Sequence, residues 1–291
     1  MYQRPCFFAL LMLSLPLFLP DVAHAAESYD NCTGFITSLP TTISTQGTWC
    51  LKQDLNTAIT SGNAITVATN NVTIDCNNFK VGGLAAGAGT QAYGIFASDK
   101  VNITVRRCNI RGFFYGTAFG GALSGGHVIE GNRYNGNTFV AVSIRGDGSV
   151  VRGNVLIDTG GSTAAPSAEA IQAFNSVDVL DNSISGVAAT TGGGDNAIGI
   201  YVGTSPAGSI SGNRIHDLVK DGSGYTYGIY ADNISGERMT LRDNDITAAA
   251  SGNSYGMYCV NTAARAKNNV VGGFTTLMQG CGDAGGNDLV P

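Results

Sequence analysis

The chain has little charge: Asp, Glu, Lys and Arg make up 13% of its 291 residues, about half the share of an ordinary globular domain. That excludes a coiled coil, a charge-rich disordered chain and most helical bundles. Lysine is scarcest, with five residues scattered singly. A nucleic-acid surface needs a stripe of positive charge to replace the counterions of phosphates, so that partner is set aside. The chain also lacks a Cys-x-x-Cys pair and has three histidines, which argues against a zinc site. Beyond residue 25 no run of 18 apolar residues occurs, so nothing downstream is long enough to span a bilayer as a helix.

One apolar run does occur, at the start. Arg4, the stretch from Phe7 to Leu19, the breaking Pro20-Asp21 and the small-residue end Ala23-His24-Ala25 read as a secretory leader over residues 1–25. The mature chain is then expected to be exported, to a periplasm or outside the cell, with no membrane span. One Arg and one Asp leave with the leader, so the net charge stays at −5. Cys6 leaves too, and the six remaining cysteines of an exported chain suggest disulfides.

Glycine and asparagine are abundant, at 41 and 24 residues. Both adopt the positive φ angles of tight turns, and with many Val, Ile and Thr between them they point to short strands. A phrase recurs: two apolar residues one apart, then Asn, then an apolar residue two further on. It is clearest at Val72 to Phe79, Val179 to Ile184, Ile210 to Ile215 and Leu241 to Ile246. With weaker copies at Cys108, Asn132, Asn154 and Asn269, eight copies fall 22 to 31 residues apart. That is too variable for a helical solenoid of fixed period and too regular for chance. A second phrase lies between them, as Tyr93-Gly94-Ile95-Phe96, Ile198-Gly199-Ile200-Tyr201, Tyr227-Gly228-Ile229-Tyr230 and Tyr255-Gly256-Met257-Tyr258. Strand, Asn turn, short strand, loop and strand make one coil of a β-solenoid. Stacked coils would place Ile74, Val105, Val179 and Leu241 in one inward column, and Phe79, Ile110, Tyr134, Leu156, Ile184, Ile215, Ile246 and Val271 in another. Proximity in the repeat pairs Cys32 with Cys50, Cys76 with Cys108 and Cys259 with Cys281, one of fifteen possible connectivities.

With its Asn ladder and its Gly-Ile-aromatic strands, the chain resembles the right-handed parallel β-helix family, the superfamily of pectate lyases, polygalacturonases and alginate epimerases. The resemblance covers residues 63–276 and implies an all-β, right-handed parallel β-helix of about eight coils. Residues 26–62, with Trp49, would cap one end and residues 277–291 the other, hiding edge strands that would otherwise template aggregation. A polysaccharide partner is the family's commonest association.

If Ile95, Ile171, Ile200, Ile229 and Met257 point inward, alternation turns Phe96, Gln172, Tyr201, Tyr230 and Tyr258 outward. The aromatics among them would form a platform for sugar rings. Loops beside this face carry Asp158 and Glu169 as isolated acids, and Asp195, Asp217, Lys220 and Asp221 as the candidates for chemistry. Hydrolysis of a glycoside takes two carboxylates, which these aspartates could supply. Elimination from a uronate takes a base and a cation, here Lys220 with a carboxylate-bound Ca²⁺, the one cofactor considered. Against catalysis, the chain has no Asp-Asp pair and neither the Gly-His-Gly nor the Arg-Ile-Lys motif of polygalacturonases. It also shows no clear Asp-Pro-His of the epimerases and no lyase arginine signature. The expectation is a glycan-engaging β-helix with lyase or glycosidase activity left open, and the alternative a non-catalytic surface or adhesion rod. His216 and Asp217, adjacent on an extended strand, should not face each other. A charged stripe, Asp75, Arg106, Glu130 and Arg152, is expected to pair between coils, leaving Arg242 and Lys267 unpaired at its end.

Overall fold

The computed structural model describes residues 29–291 except 191, 205–206, 233–238, 250–251 and 261–262; the leader lies outside them. The chain is a parallel β-helix whose strands form three sheets of 11, 10 and 10 strands. One short 3₁₀ turn, Leu84–Ala86, interrupts the β-structure. The first sheet holds the strands before the Asn turn, such as Val177–Leu180 and Ser209–Ser211. The second holds those after it, such as Ser183–Ala188 and Arg214–Val219. The Gly-Ile-aromatic strands form the third: Tyr93–Ser98, Tyr115–Gly120, Val140–Arg145, Ala168–Phe174, Ala197–Gly203, Thr226–Ala231 and Ser254–Cys259. Each strand pairs in parallel with its counterpart in the next coil.

The eight coils of the repeat are extended at both ends. Residues 34–56 add strands to all three sheets, and so do Thr276–Gln279, Gly282–Asp283 and Asp288–Val290. The segments expected to cover the ends therefore contribute rungs in register with their neighbours. Trp49 packs against the core at the first rungs, its indole N–H donating to the Thr45 carbonyl at 3.1 Å.

Each Asn turn is built the same way. A residue with left-handed φ, such as Gly153, Asp181, Gly212 or Asp243, swings the chain round, and the following Asn is buried. Its amide N–H₂ donates to a carbonyl of the preceding coil and to the side-chain oxygen of the next Asn. Asn182 reaches the Val151 carbonyl and Asn213 Oδ1, each at 3.0 Å. The chain of amides runs unbroken through Asn132, Asn154, Asn182, Asn213, Asn244 and Asn269 to Asn287. Asn287 extends the ladder beyond the repeat read from the sequence. At the other end Cys108 takes the ladder position, its N–H donating to Asn132 Oδ1 at 3.0 Å. Its disulfide to Cys76 ties the neighbouring coils there, and Cys32–Cys50 and Cys259–Cys281 form as well.

Ile74, Val105, Val151, Val179, Ile210 and Leu241 line the interior as one fully buried column. The second column runs from Leu55 through Val81 to Ile110 and bypasses Phe79, because Asn77 and Asn78 both take left-handed φ and lengthen that turn. In the third sheet Gly and Ile are both buried where alternation allows one inward residue. Gly228 shows why glycine is needed, since a β-carbon there would run into Ile246 and the Gly256 carbonyl. This departure from alternation, kept in register from rung to rung, leaves the residues on both sides of the Gly-Ile pair turned away from the core.

Candidate functional site

That departure gives the third sheet two columns turned away from the core where alternation foresees one, with Ala118, Val140, Ile198 and Tyr227 among them buried. One runs Phe96, Ala118, Ser143, Gln172, Tyr201, Tyr230, Tyr258. The other runs Tyr93, Tyr115, Val140, Glu169, Ile198, Tyr227, Tyr255 in the same pairings. The expected single platform is thereby corrected: Phe96 is separated from Tyr201 by three non-aromatic rungs. Tyr201, Tyr230 and Tyr258 are consecutive, with ring centroids 5.4 Å apart at each step. Tyr227 and Tyr255 stack beside them at 5.4 Å and 12°, and the exposed Tyr225 lies 6.1 Å from Tyr255. A separate block at the other end holds Tyr93 on Tyr115, at 4.9 Å and 5°, with Phe114 and Phe139 beside it.

Glu169 stands between the two blocks, where the strand reads Ala-Glu-Ala-Ile-Gln and the Gly-Ile-aromatic phrase lapses. The residue is partly exposed, but its Oε2 is shut off from solvent and has no hydrogen-bond partner. Desolvation pushes the carboxyl up to about 7, against the opposing pull of the Gln172 hydrogen bond. Burial, with Tyr93 and Glu169 nearby, pushes the Tyr115 hydroxyl up to about 12. Tyr201 and Tyr230 are raised by burial and then by Asp232. Beside Glu169 the Phe96–Tyr201 column carries the small residues Ser143 and Ala118, and Val140 and Ile198 on the rungs either side of Glu169 are buried. Arg145 lies along the same strand face, its guanidinium 4.9 Å from the Phe174 ring.

The loop candidates are occupied with local structure. Asp221 Oδ2 accepts the N–H groups of Gly192, Gly193 and Gly194 at 2.7, 3.1 and 3.4 Å, and these bonds hold its carboxyl below the usual range. Asp195 accepts from the Ser167 hydroxyl at 3.4 Å, and its carbonyl takes the Asp221 N–H. Lys220 donates to the Gly222 carbonyl. Asp217 meets His216 Nδ1 at 2.7 Å, against expectation, because its φ of 57° breaks the extended strand and turns neighbouring side chains together. Among the described residues no group of three or more His, Cys, Asp or Glu side chains converges as metal ligands would.

The charged stripe on the first sheet pairs as Asp75 with Arg106 and Glu130 with Arg152. Arg107, which the stripe omits, also binds Asp75 and Asn77. Burial acts against the Asp75 carboxylate, and the hydrogen bonds and charges of Arg107, Asn77 and Arg106 outweigh it, so its pKa falls. A groove of about 630 Å³ runs between these arginines, but their charge is largely answered by Asp75, Glu130 and Asp181.

No protein-family model matches the chain, nor does any curated protein. Among solved structures it aligns with the A-module of the mannuronan C-5 epimerase AlgE6 of Azotobacter vinelandii. The two are 12% identical, with 84% of this chain and 83% of that chain covered, at a TM-score of 0.39. A likeness at that level carries no inference, and the fold stands on the strand pairing itself.

Proposed function

We propose that this is an exported protein that binds a polysaccharide along the outward face of its third sheet. The tract of Tyr201, Tyr230 and Tyr258, flanked by Tyr227 and Tyr255, carries this reading. Consecutive rings 5.4 Å apart, Tyr201 edge-on to Tyr230 at 74° and Tyr230 tilted at 44° to Tyr258, offer ring edges, faces and hydroxyls, which suit the CH faces and hydroxyls of sugars. Three disulfides and the leader-like start support export.

Binding is favoured over hydrolysis by what surrounds Glu169. Two carboxylates are needed for glycoside cleavage, and the flanking outward positions are Val140, Ile198, Ser143, Gln172 and Tyr201, none of them acidic. The test is affinity electrophoresis in gels containing pectin, alginate, a glycosaminoglycan or a neutral glycan. Wild type should be retarded by at least one, and Tyr201→Ala/Tyr230→Ala should lose at least tenfold in affinity, each stacked ring contributing of order 1 kcal/mol. Both side chains lie on the outer face, so the melting temperature should change little. Undiminished retention of the double variant would remove the tyrosine tract from the binding site.

A further inference from the structure

Phe96 heads the column that ends in Tyr201, Tyr230 and Tyr258, yet it stands in the other aromatic block. That block gathers Tyr93, Phe96, Phe114, Tyr115 and Phe139, all partly exposed and none of them part of the apolar core. Phe96 meets Tyr93 edge-on at 5.3 Å, Tyr93 lies flat on Tyr115, and Phe114 stacks on Phe139 at 4.8 Å. Rings that fill no core and gather into one apolar patch mark an interaction surface. Between the blocks the column reads Ala118, Ser143 and Gln172, with no charge and no ring. Phe96 stands four rungs from Tyr201 and six from Tyr258, about 19 and 29 Å along the β-helix.

We propose, resting on the glycan-binding reading above, that the Phe96 block is a second anchor for the same polysaccharide. One extended chain then lies along the column, held on the tyrosine tract at one end and on Phe96 and Tyr93 at the other. Ser143 and Gln172, both partly exposed between the anchors, carry donors and acceptors that sugar hydroxyls can meet. Once one anchor is engaged, the other meets a tethered segment at high effective concentration, so a spanning chain binds more tightly than either anchor binds alone. The ligand class is therefore a long, extended polymer, and a mono- or disaccharide gains nothing from the second block.

Calorimetric titration with length series of galacturonan, alginate, hyaluronan and cello-oligosaccharides tests this. For the series that binds, oligomers shorter than the gap of about 19 Å should bind two per protein. Those longer than about 29 Å should bind one per protein, with affinity at least tenfold higher. Phe96→Ala/Tyr93→Ala should bind a single short oligomer with undiminished affinity and lose the gain with long ones. Its melting temperature should stay close to that of wild type, because neither ring belongs to the core. A wild-type affinity that grows smoothly in proportion to length, as one site gives by offering more registers, would overturn the second anchor, and this arm needs no variant. So would a folded Phe96→Ala/Tyr93→Ala protein that keeps the gain. If no oligomer of any length binds, the glycan-binding reading beneath it falls as well.

Discussion

Asn213→Ala should lower stability by about 3–4 kcal/mol and the melting temperature by roughly 10 °C. Asn213 is 1% exposed. Its Nδ2 donates to the Val179 carbonyl at 2.9 Å and to Asn244 Oδ1 at 3.0 Å. Its Oδ1 accepts both the N–H and the Nδ2 of Asn182, each at 3.0 Å. Truncation orphans the buried Asn182 N–H and strips one bond each from the Val179 carbonyl, Asn182 Nδ2 and Asn244 Oδ1, the last two keeping the Val151 carbonyl and the residue-213 N–H, and a desolvated orphan costs more than the net value of the bond lost. Asn287→Ala, at the partly buried end of the same ladder, should cost well under half as much. Denaturant unfolding of the two variants checks the order. Equal effects would mean that the ladder's middle is not the brace that the geometry makes it.

The second large effect lies in the pH dependence of stability, where wild type conceals two opposing slopes. Burial lowers His127 to about 4. The side chain is fully buried, Nδ1 accepting the Ile103 N–H at 3.3 Å and Nε2 without a partner. With its folded value depressed below the ordinary 6.5, the unfolded state binds the extra proton first as pH falls. Stability present at neutral pH is therefore lost between about 6.5 and 4, to about 3 kcal/mol. Glu169 is raised from 4.5 to about 7, so its contribution is present in acid and lost as pH rises through that window. Discounted for its part exposure, that loss is about 2 kcal/mol. Between pH 4.5 and 6.5 the slopes nearly cancel. His127→Asn, which keeps an acceptor for the Ile103 N–H, should uncover the loss on the alkaline side. Glu169→Gln should uncover the loss on the acid side. Unfolding free energies of the three proteins from pH 4 to pH 8 test both, and parallel curves would contradict the account.

The ladder was legible in the sequence because each Asn follows its left-handed residue within the same short phrase, and the phrase recurs. The disulfide pairs were legible for the same reason, each joining places that the repeat brings to adjoining rungs. Phe79 was misplaced because two consecutive Asn residues with left-handed φ lengthen one turn, and nothing in the composition of that phrase marks the extra residue. The second tyrosine column was hidden by a local departure from alternation, with Gly and Ile both inward. The flanking Tyr227 and Tyr255 then read as ordinary strand residues. Glu169 was visible only as an acid at a loop edge. Aligning Ile171 with Ile200 places it in the column of Tyr115 and Tyr227, but its burial comes from side chains distant in sequence. The four loop candidates had the right residue types in the right loops, and only the backbone N–H groups and carbonyls around them show how fully they are engaged.

The most direct measurement is a crystal structure of the mature protein with the glycan oligomer that binds it most tightly. The account predicts sugar rings lying across Tyr201 and Tyr230. A saturating oligomer seated in the groove between Arg106, Arg107 and Arg152, with the third sheet bare, would contradict it.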